Sequence, residues 1–560
     1  MRESNNLVKN GDSSMVSSPS RRKILGMAGL TAFTGFVGCS GNGSEATDTT
    51  DETSGSDDST DTTDETSGSD DSTDGEDQGG QSSTQSINLI IEEPINAVDP
   101  LMAETRGDRL ITTNLYASLF TLNPSMEPVP DLAAEHEFVD DTTLDITLRE
   151  NVQFHNGDEL TASDVKFSLN RIQNSSKSPR QSFLEKISEI NTDDDYGVTI
   201  HLSEAFGPIL TYLTDGAIPG AIVPQSVVEE EGGQLETPVG AGPFQYEDWS
   251  PENEFVMEKF DDYYEDGVPQ LDEVVIQPIG SAATMVSAIQ AGDAQILLSP
   301  PIARHQAFEA DQNTNWSVKP GTGYDFLGVN NTREPYDDVN LRRALSMSID
   351  REALIETALY GQGVPAHQPI PTAYEWAVSD DIDTTYTQYN PEQAQSLIKE
   401  HGYSGLEMEL TSTDAAPHNE AAEVLQQQLS EAGFKVQVDI VDIPTFVDRA
   451  VNANFDIFFQ GFSDVTEPDY VTRTANSCGA TLNRGKYCNE ELDQIMSDAA
   501  GTYDLDERAS HYEEVSQIYA SELPDIPVWF MPSARTVRNE VQNFEHHITA
   551  VHFDELSLAQ

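Results

Sequence analysis

Basic residues are scarce in this sequence. Its 560 residues contain 29 lysines and arginines against 98 aspartates and glutamates, a formal net charge of −69. The first 86 residues hold 16 acidic and 5 basic residues, which leaves 82 acidic and 24 basic residues, a charge of −58, in residues 87–560. Because no basic stripe exists to neutralise phosphates, we expect no nucleic-acid partner. Such acidity predicts adaptation to molar salt, where a Debye length of about 3 Å at 1 M screens self-repulsion.

The amino terminus lacks an apolar run long enough to span a membrane. The apolar stretch 26–37 is shorter than the roughly 20 residues that a spanning helix needs. The segment RRKIL at 21–25 precedes it, and a basic flank followed by a short apolar region is typical of a signal peptide. Its adjacent arginines indicate twin-arginine export. We therefore expect a protein exported to the outer face of the cell membrane.

Cysteine is rare, with three residues in the whole chain. Cys39 lies in the segment FVGCS, which resembles a lipobox, and acylation of its thiol would anchor the mature chain to the membrane. Cleavage without lipidation is the alternative. Cys478 and Cys488 lie close together in sequence, so in an exported protein they either form a disulfide or remain two buried thiols.

Residues 40–86 lack apolar side chains to bury. They consist mainly of Asp, Glu, Ser, Thr and Gly, and the segment 47–59 recurs identically at 60–72. Such a composition predicts a disordered acidic tether. Together with residues 1–39 as a signal peptide with lipobox, it precedes the folded body.

Strand and helix patterns alternate from residue 87 onward, which predicts an α/β protein. A capping box at Thr161 and Asp164 marks the start of one helix. The patterns predict strands at 87–91, 144–148 and 435–441, and helices at 108–120, 161–171, 393–399 and 420–432.

Catalytic and nucleotide-binding motifs are missing from the sequence. It contains no phosphate-binding G-x-x-x-x-G-K-[ST] loop and no H-E-x-x-H motif. Its histidine cluster, His546, His547 and His552 beside Glu545, lacks the spacing of a helical metal site. We therefore expect no cofactor, no metal and no enzyme activity, with a surface hydrolase as a less favoured alternative. A structural surface protein would show repeated folded modules, and the repeat found here lies in the tether.

Five segments carry a resemblance when read in chain order: NLYASLF at 114–120, LRENVQFHNG at 148–157, LTASDVKFS at 160–168, PVGAGPF at 238–244 and DVNLRRAL at 338–345. They closely resemble segments of the family 5 extracellular solute-binding proteins, the peptide- and nickel-binding components of ABC importers. Within them we expect His155 to be a turn residue rather than a ligand. We expect Arg342 and Arg343 to cover a helix face or to pair with acids such as Asp337 and Asp338.

The resemblance implies a two-lobed periplasmic-binding-protein fold of type II, with an extra subdomain in the first lobe. The implied bounds are 87–120, 240–323 and 531–560 for lobe I, 121–239 for the extra subdomain, and 324–530 for lobe II. The chain would cross between the lobes near 324–329 and 526–530. A ligand would be enclosed between the lobes by hinge closure.

The resemblance also implies a function: a haloarchaeal-type lipoprotein, expected to be a monomer, that delivers oligopeptides to ABC permease and ATPase subunits. The segment GFSD at 461–464 resembles the family segment whose aspartate receives the peptide ammonium group, which makes Asp464 the expected anchor. Phe462, Tyr116 and Trp376 are candidate pocket walls.

Two departures from the family pattern affect the expected ligand. Ala117 stands where glutamate is common, and Ala415-Ala416-Pro417 lacks the arginine with which dipeptide binders hold the ligand carboxylate. Because a buried carboxylate without a cation is costly, we expect longer peptides rather than dipeptides. Nickel chelates, sugars or another non-peptide solute are the alternative.

Overall fold

The computed structural model describes residues 85–463 and 465–559. The predicted signal peptide, Cys39 and the acidic tether up to residue 84 lie outside these residues, as does Asp464. Within the described ranges, no helix combines the length and apolar character needed to cross a membrane.

The described residues form a mixed α/β protein, so the predicted fold class is confirmed. Nineteen strands occur among them: β1 Ser86–Ile91, β2 Phe120–Leu122, β3 Pro128–Pro130, β4 Ala133–Asp140, β5 Thr143–Leu148, β6 Ile187–Thr192, β7 Gly197–Leu202, β8 Phe244–Ser250, β9 Glu254–Lys259, β10 Glu273–Pro278, β11 Ile296–Leu297, β12 Thr314–Val329, β13 Val364–Pro365, β14 Glu407–Thr413, β15 Lys435–Val441, β16 Ile457–Phe462, β17 Asp525–Arg538, β18 Val541–Gln542 and β19 Ser557–Leu558. Thirteen α-helices accompany them in the same residues: α1 Arg106–Leu115, α2 Ala162–Gln173, α3 Ile209–Tyr212, α4 Gln225–Glu230, α5 Ala282–Ala291, α6 His305–Glu309, α7 Val339–Met347, α8 Arg351–Ala358, α9 Pro391–Glu400, α10 His418–Ala432, α11 Ile443–Val451, α12 Glu490–Gly501 and α13 Leu505–Glu522.

One large sheet runs through the protein in the order β15-β14-β16-β12-β17-β11-β1-β10-β9-β8, and β13 pairs with β17. We call β11, β1, β10, β9 and β8 the first half-sheet, and β16, β14 and β15 the second half-sheet. Strands β12 and β17 lie between them and pair in antiparallel fashion along most of their length. Their register breaks between Pro320 and Tyr324, so the two half-sheets meet at an irregular point of the central pair.

Separate clusters of buried apolar side chains support the two half-sheets. One cluster, which includes Leu89, Phe255 and Ile276, packs on the first half-sheet. Another, which includes Leu410, Phe459 and Trp529, packs on the second. A third surrounds the four-stranded sheet β4-β5-β7-β6 and helix α2. Each half-sheet therefore has its own hydrophobic core. The space between the two half-sheets need not be filled with side chains for either core to be stable.

Most elements predicted from the sequence are confirmed: the strands at 87–91, 144–148 and 435–441 correspond to β1, β5 and β15, and the helices at 161–171, 393–399 and 420–432 to α2, α9 and α10. The capping box at Thr161 and Asp164 is present. The helix predicted over 108–120 was wrong at its end, because α1 stops at Leu115. The Ile222 amide donates to the Ala117 carbonyl at 3.0 Å and Phe120 begins β2, so strand-like pairing overrides the helical spacing there.

Two of the segments that carry the family resemblance pack directly on each other. A Cβ added to Gly240 would lie 1.9 Å from the Leu115 carbonyl oxygen, and one added to Gly242 would lie 2.6 Å from the Leu115 carbonyl carbon. His155 holds this turn, because the Gly240 amide donates to its Nδ1 at 3.2 Å and its Nε2 donates to the Gly242 carbonyl at 3.1 Å. Burial lowers the pKa of His155 to about 4, which keeps the ring neutral as these two bonds require. His155 is therefore a turn residue, as predicted.

For Arg342 and Arg343 the sequence left two alternatives, and the described residues show no pairing with the carboxylates of Asp337 and Asp338; the Nη1 of Arg342 donates to the Asp337 backbone carbonyl at 3.0 Å instead. The Nε and Nη2 of Arg342 donate to the Glu522 carbonyl at 3.0 and 2.8 Å, and those of Arg343 donate to the Ser521 carbonyl at 3.0 and 2.9 Å. The last carbonyls of a helix lack partners and carry partial negative charge. Both arginines therefore stabilise the carboxyl end of α13 instead of forming carboxylate pairs.

Candidate functional site

A cleft of about 450 Å³ lies between the two half-sheets. Its walls come from both sides of the molecule and its floor comes from the central strands. The lining residues lie within 91–93, 106–110 and 298–303 on the first side, 358–360 and 416–420 on the second, and 321–323, 531–535 and 548–551 at the base. A cavity of this size lies within the range of pockets that enclose small organic ligands, about 300–1,000 Å³.

The floor of the cleft is the irregular stretch of the central strands. A Cβ added to Gly321 would lie 2.7 Å from the Met531 carbonyl oxygen, and one added to Gly323 would lie 2.9 Å from the Met531 Cβ. Only glycine permits β12 and β17 to approach so closely here. The floor therefore consists largely of backbone.

The amino-terminal end of α1 forms one wall and is fixed by Asp108. The Asp108 carboxylate accepts hydrogen bonds from four backbone N–H groups, at 2.7 Å from Asn96, 3.0 Å from Ala97, 3.1 Å from Glu104 and 3.0 Å from Thr105. Thr105 completes a capping box by accepting from the Asp108 amide at 3.1 Å. This network holds the loop before α1 and sets the positions of Arg106 and Arg109 in the wall.

Charged side chains of both signs line the cleft. Three of them are arginines, Arg106, Arg109 and Arg535, in a chain with 29 basic residues. The Nη1 of Arg535 donates to the Leu298 carbonyl at 2.6 Å and to the Ala534 carbonyl at 2.9 Å. The acidic residues are Glu92, Glu93 and Glu420, and all three are exposed. The cleft therefore offers two buried positive charges, Arg109 and Arg535, and exposed charges of both signs, Arg106 and the three glutamates.

The predicted anchor Asp464 lies outside the described residues, but the segment that follows it is well defined. The Val465 carbonyl accepts a short hydrogen bond from the Tyr374 hydroxyl. Buried Glu467 pairs with Arg508. Buried Asp469 pairs with Arg473 through two bonds of 2.7 Å. The chain just after residue 464 is thus held by buried carboxylates.

None of the three predicted aromatic wall residues is among the described residues that line the cleft. Tyr116 is 1% exposed and donates from its hydroxyl to the Val98 carbonyl at 2.7 Å, so it belongs to the core. Trp376 lies against Arg508, whose guanidinium carbon is 5.0 Å from the ring centroid. Phe462 contacts Tyr470 edge to face, with centroids 5.8 Å apart.

The aromatic residue that does line the cleft is Tyr360, which is 46% exposed. Tyr360, Arg109 and Glu420 were not predicted from the sequence. Tyr360 follows α8 in an ordinary loop, so no sequence signal marks it. Arg106 and Arg109 lie three residues apart on one helix in a chain poor in basic residues. This spacing is a sequence signal that could have indicated the positively charged wall of the cleft.

The remaining candidate residues lie away from the cleft or at its edge. The structure joins Cys478 and Cys488 in a disulfide. His546 is held between the hydroxyls of Ser317, at 2.8 Å from its Nδ1, and Ser533, at 3.0 Å from its Nε2. In the part of the chain that the structure describes, no group of three or more His, Cys, Asp or Glu side chains has the geometry to hold a metal ion.

Comparison with known proteins agrees with this architecture. The model of "Bacterial extracellular solute-binding proteins, family 5 Middle" matches residues 127–483. The glutathione-binding proteins GsiB of Salmonella typhimurium and Escherichia coli K12 are 27% and 26% identical over 463 residues, which cover 80% of this chain and 89% of each relative.

Solved structures share the fold. HbpA2 from Haemophilus parasuis superposes with a TM-score of 0.77 at 21% identity, and the oligopeptide-binding protein AppA from Bacillus subtilis, in complex with a nonapeptide, with a TM-score of 0.67 at 24% identity. Both matches cover 85% of this chain and 100% of the other. The fold is therefore the two-lobed one that the sequence predicted. The chain belongs to the family 5 extracellular solute-binding proteins, which bind solutes for ABC importers and are not enzymes.

Proposed function

We propose that this protein is a lipid-anchored receptor that captures short peptides outside the cell and delivers them to the permease and ATPase subunits of an ABC importer. The observation that carries the proposal is the cleft of about 450 Å³ between two separately supported half-sheets. A mostly backbone floor, apolar walls and a few charged groups are suited to a ligand with a peptide backbone and charged ends.

The names of the similar proteins support a peptide ligand. Curated relatives are described as glutathione-binding. Solved neighbours are described in complex with the dipeptide Met-Leu and with a nonapeptide. A short peptide with acidic groups is compatible with the three arginines of the cleft. A nickel chelate, a sugar or another non-peptide solute is the alternative, and the binding experiments below distinguish it from a peptide.

Export and anchoring belong to the same proposal. The twin arginines at 21–22 and the lipobox-like segment around Cys39 support twin-arginine export followed by lipidation. The charge of −58 on residues 87–560 supports function in molar salt. Cys39→Ser is expected to move the protein from the membrane fraction to the medium. Retention of the variant in the membrane fraction would argue against the anchor.

Closure of the cleft completes the proposed mechanism. We propose the lobe bounds that the family resemblance implies, with the chain crossing between the lobes near 324–329 and 526–530. These segments belong to β12 and β17, next to the register break at the cleft floor. A break in strand pairing is a place where a hinge absorbs backbone rotation, and a monomer suffices for such closure.

Asp464 is proposed as the group that receives the ligand ammonium. Tyr116, Trp376 and Phe462 are not part of this proposal, because their contacts are with residues that do not line the cleft. In calorimetry with a tripeptide library in molar potassium chloride, Asp464→Ala is expected to weaken binding of peptides with free amino termini. Binding of the same library after amino-terminal acetylation is expected to change little.

A matched control separates this effect from a general loss of negative charge. Asp261 is exposed and does not line the cleft, so Asp261→Ala is expected to bind both libraries as the unchanged protein does. Equal affinity of the unchanged protein and Asp464→Ala for the free library would remove Asp464 from the site. Absence of binding for any peptide, with binding of a sugar or metal chelate instead, would refute the peptide proposal.

A further inference from the structure

Arg109 is a buried cation with no partner among the residues that the structure describes. It lies on α1, lines the cleft and is 3% exposed. Its Nε is buried without a hydrogen-bond partner, and no carboxylate among residues 85–463 and 465–559 forms a salt bridge with it. Both oxygens of the adjacent Asp108 carboxylate are occupied by backbone N–H groups. No described side chain therefore compensates the charge of the Arg109 guanidinium.

Every other deeply buried arginine in the described residues is compensated. Five arginines there are less than one tenth exposed. Arg508 pairs with a carboxylate. The other three bind backbone carbonyls: Arg342 that of Glu522, Arg351 that of Pro527 at 2.8 Å, and Arg535 that of Leu298. Among these five described arginines, Arg109 alone departs from the rule that buried charges are paired or hydrogen-bonded.

This exception is unexpected in a protein with 98 acidic residues. A carboxylate of the protein itself could have paired with Arg109, as Glu467 pairs with Arg508. Leaving a guanidinium buried without an anion is unfavourable by several kcal/mol. An unpaired arginine in the wall of a cavity is therefore suited to an anion that comes from outside, and its planar fork matches a carboxylate.

We propose that Arg109 is the anion receptor of the cleft, and that the cleft selects solutes with a carboxylate, short peptides with a free carboxyl terminus or an acidic side chain among them. The inference rests on the proposed function and specifies its substrate class. It also accounts for Ala415-Ala416-Pro417, which lacks an arginine, since the carboxylate is bound from the α1 side. The exposed Glu92, Glu93 and Glu420 of the same cleft favour a positive group at the other end of the ligand.

The test uses the full chain in molar potassium chloride and two probes. One probe is a tripeptide library with free carboxyl termini, and the other is the same library amidated at the carboxyl terminus. Arg109→Met keeps an unbranched side chain that reaches as far as the arginine Nε, and it removes the charged guanidinium. Lys177→Met removes one positive charge from an exposed position outside the cleft and serves as the matched control.

The unchanged protein and Lys177→Met are expected to bind the free library equally well. Arg109→Met is expected to bind it about 30-fold to 1,000-fold more weakly, the usual loss when one partner of a buried charge pair is removed. Amidated peptides are expected to bind the unchanged protein weakly and to lose less than about threefold in Arg109→Met. Ligand-free Arg109→Met is expected to melt at the same temperature as the unchanged protein or higher, because an unpaired buried charge has been removed.

Two results would overturn the inference and leave the proposed function standing. One is equal affinity of the unchanged protein for the free and amidated libraries. The other is an equal loss for both libraries in Arg109→Met together with a lower melting temperature without ligand, which would give Arg109 a structural role. Failure of the unchanged protein to bind either library would instead refute the proposed function, and the inference with it.

Discussion

The buried ion pair between Arg508 and Glu467 provides a demanding test of the energetics. The two side chains are 3% and 1% exposed. The Nη2 of Arg508 also donates to the Tyr512 hydroxyl oxygen at 3.1 Å, and its guanidinium lies 5.0 Å from the Trp376 ring centroid. Arg508→Met leaves Glu467 buried with only the Tyr512 hydroxyl, 3.5 Å away. Removing one partner of a buried pair typically lowers the free energy of unfolding by about 3–5 kcal/mol, and we expect that loss here.

A double variant and a surface pair make the result interpretable. Arg508→Met combined with Glu467→Leu replaces both charges by apolar groups, so it is expected to recover stability to within about 1 kcal/mol of the unchanged protein or above it. Lys435 and Glu407 form a pair with side chains 65% and 79% exposed. Lys435→Met is therefore expected to cost less than about 1 kcal/mol.

The assay is denaturant unfolding of the full chain, followed by tryptophan fluorescence at two salt concentrations. The cost of Arg508→Met is expected to change little with salt, because a buried pair is poorly screened. The reasoning would be refuted if Arg508→Met cost no more than Lys435→Met. It would also be refuted if the double variant were as unstable as the single one.

Three further predictions concern the fold. Gly240→Ala places a Cβ against the Leu115 backbone and is expected to lower the free energy of unfolding by at least about 1–3 kcal/mol. The control is Gly280→Ala, where no atom lies within 4 Å of the added Cβ. In the same unfolding assay this control is expected to be nearly neutral. Burial lowers the pKa of His155 from its ordinary value of 6.5 to about 4, so its contribution to stability is present above pH 6.5 and is lost as pH falls through 4. Over that range the difference in free energy of unfolding between the unchanged protein and His155→Phe should narrow by up to about 3 kcal/mol. A difference that stays constant with pH would contradict the assignment. Burial raises the pKa of Asp525 from 3.8 to about 7, so its contribution to stability is present below pH 3.8 and is lost as pH rises through 7. Across this window the free energy of unfolding of Asp525→Asn should rise relative to that of the unchanged protein. Denaturant unfolding at several pH values measures this difference.

Local patterns predicted much of the fold. The strand at 435–441 and the capped helix after Thr161 follow from alternation, helical spacing and cap chemistry, which depend on neighbouring residues in sequence. The end of α1 was predicted wrongly, because the extended conformation after Leu115 depends on pairing with the chain near Ile222. The role of Arg342 could not be decided from the sequence for a similar reason. Its Nε and Nη2 donate to the Glu522 carbonyl, 180 residues away at the end of α13.

The site was harder to predict than the fold. Residues of the cleft come from the loop before α1, the end of α8, the start of α10 and two central strands, and no local pattern brings these together. Arg109 in particular looks like an ordinary helical arginine in the sequence. Its significance comes from the burial of its side chain and from the occupation of Asp108 by backbone N–H groups, and both depend on the folded chain.

The distance across the cleft with and without ligand tests the central claim most directly. Glu93 and Glu420 are exposed and line the cleft on opposite sides, so spin labels on Glu93→Cys and Glu420→Cys in a Cys39→Ser background report its opening. After calorimetry has verified that the labelled protein still binds the free tripeptide library, double electron–electron resonance is recorded in molar potassium chloride. Closure around a captured solute predicts a shorter and narrower distance distribution when the library is present. Identical distributions at saturating peptide would contradict the account of a two-lobed receptor that encloses its ligand.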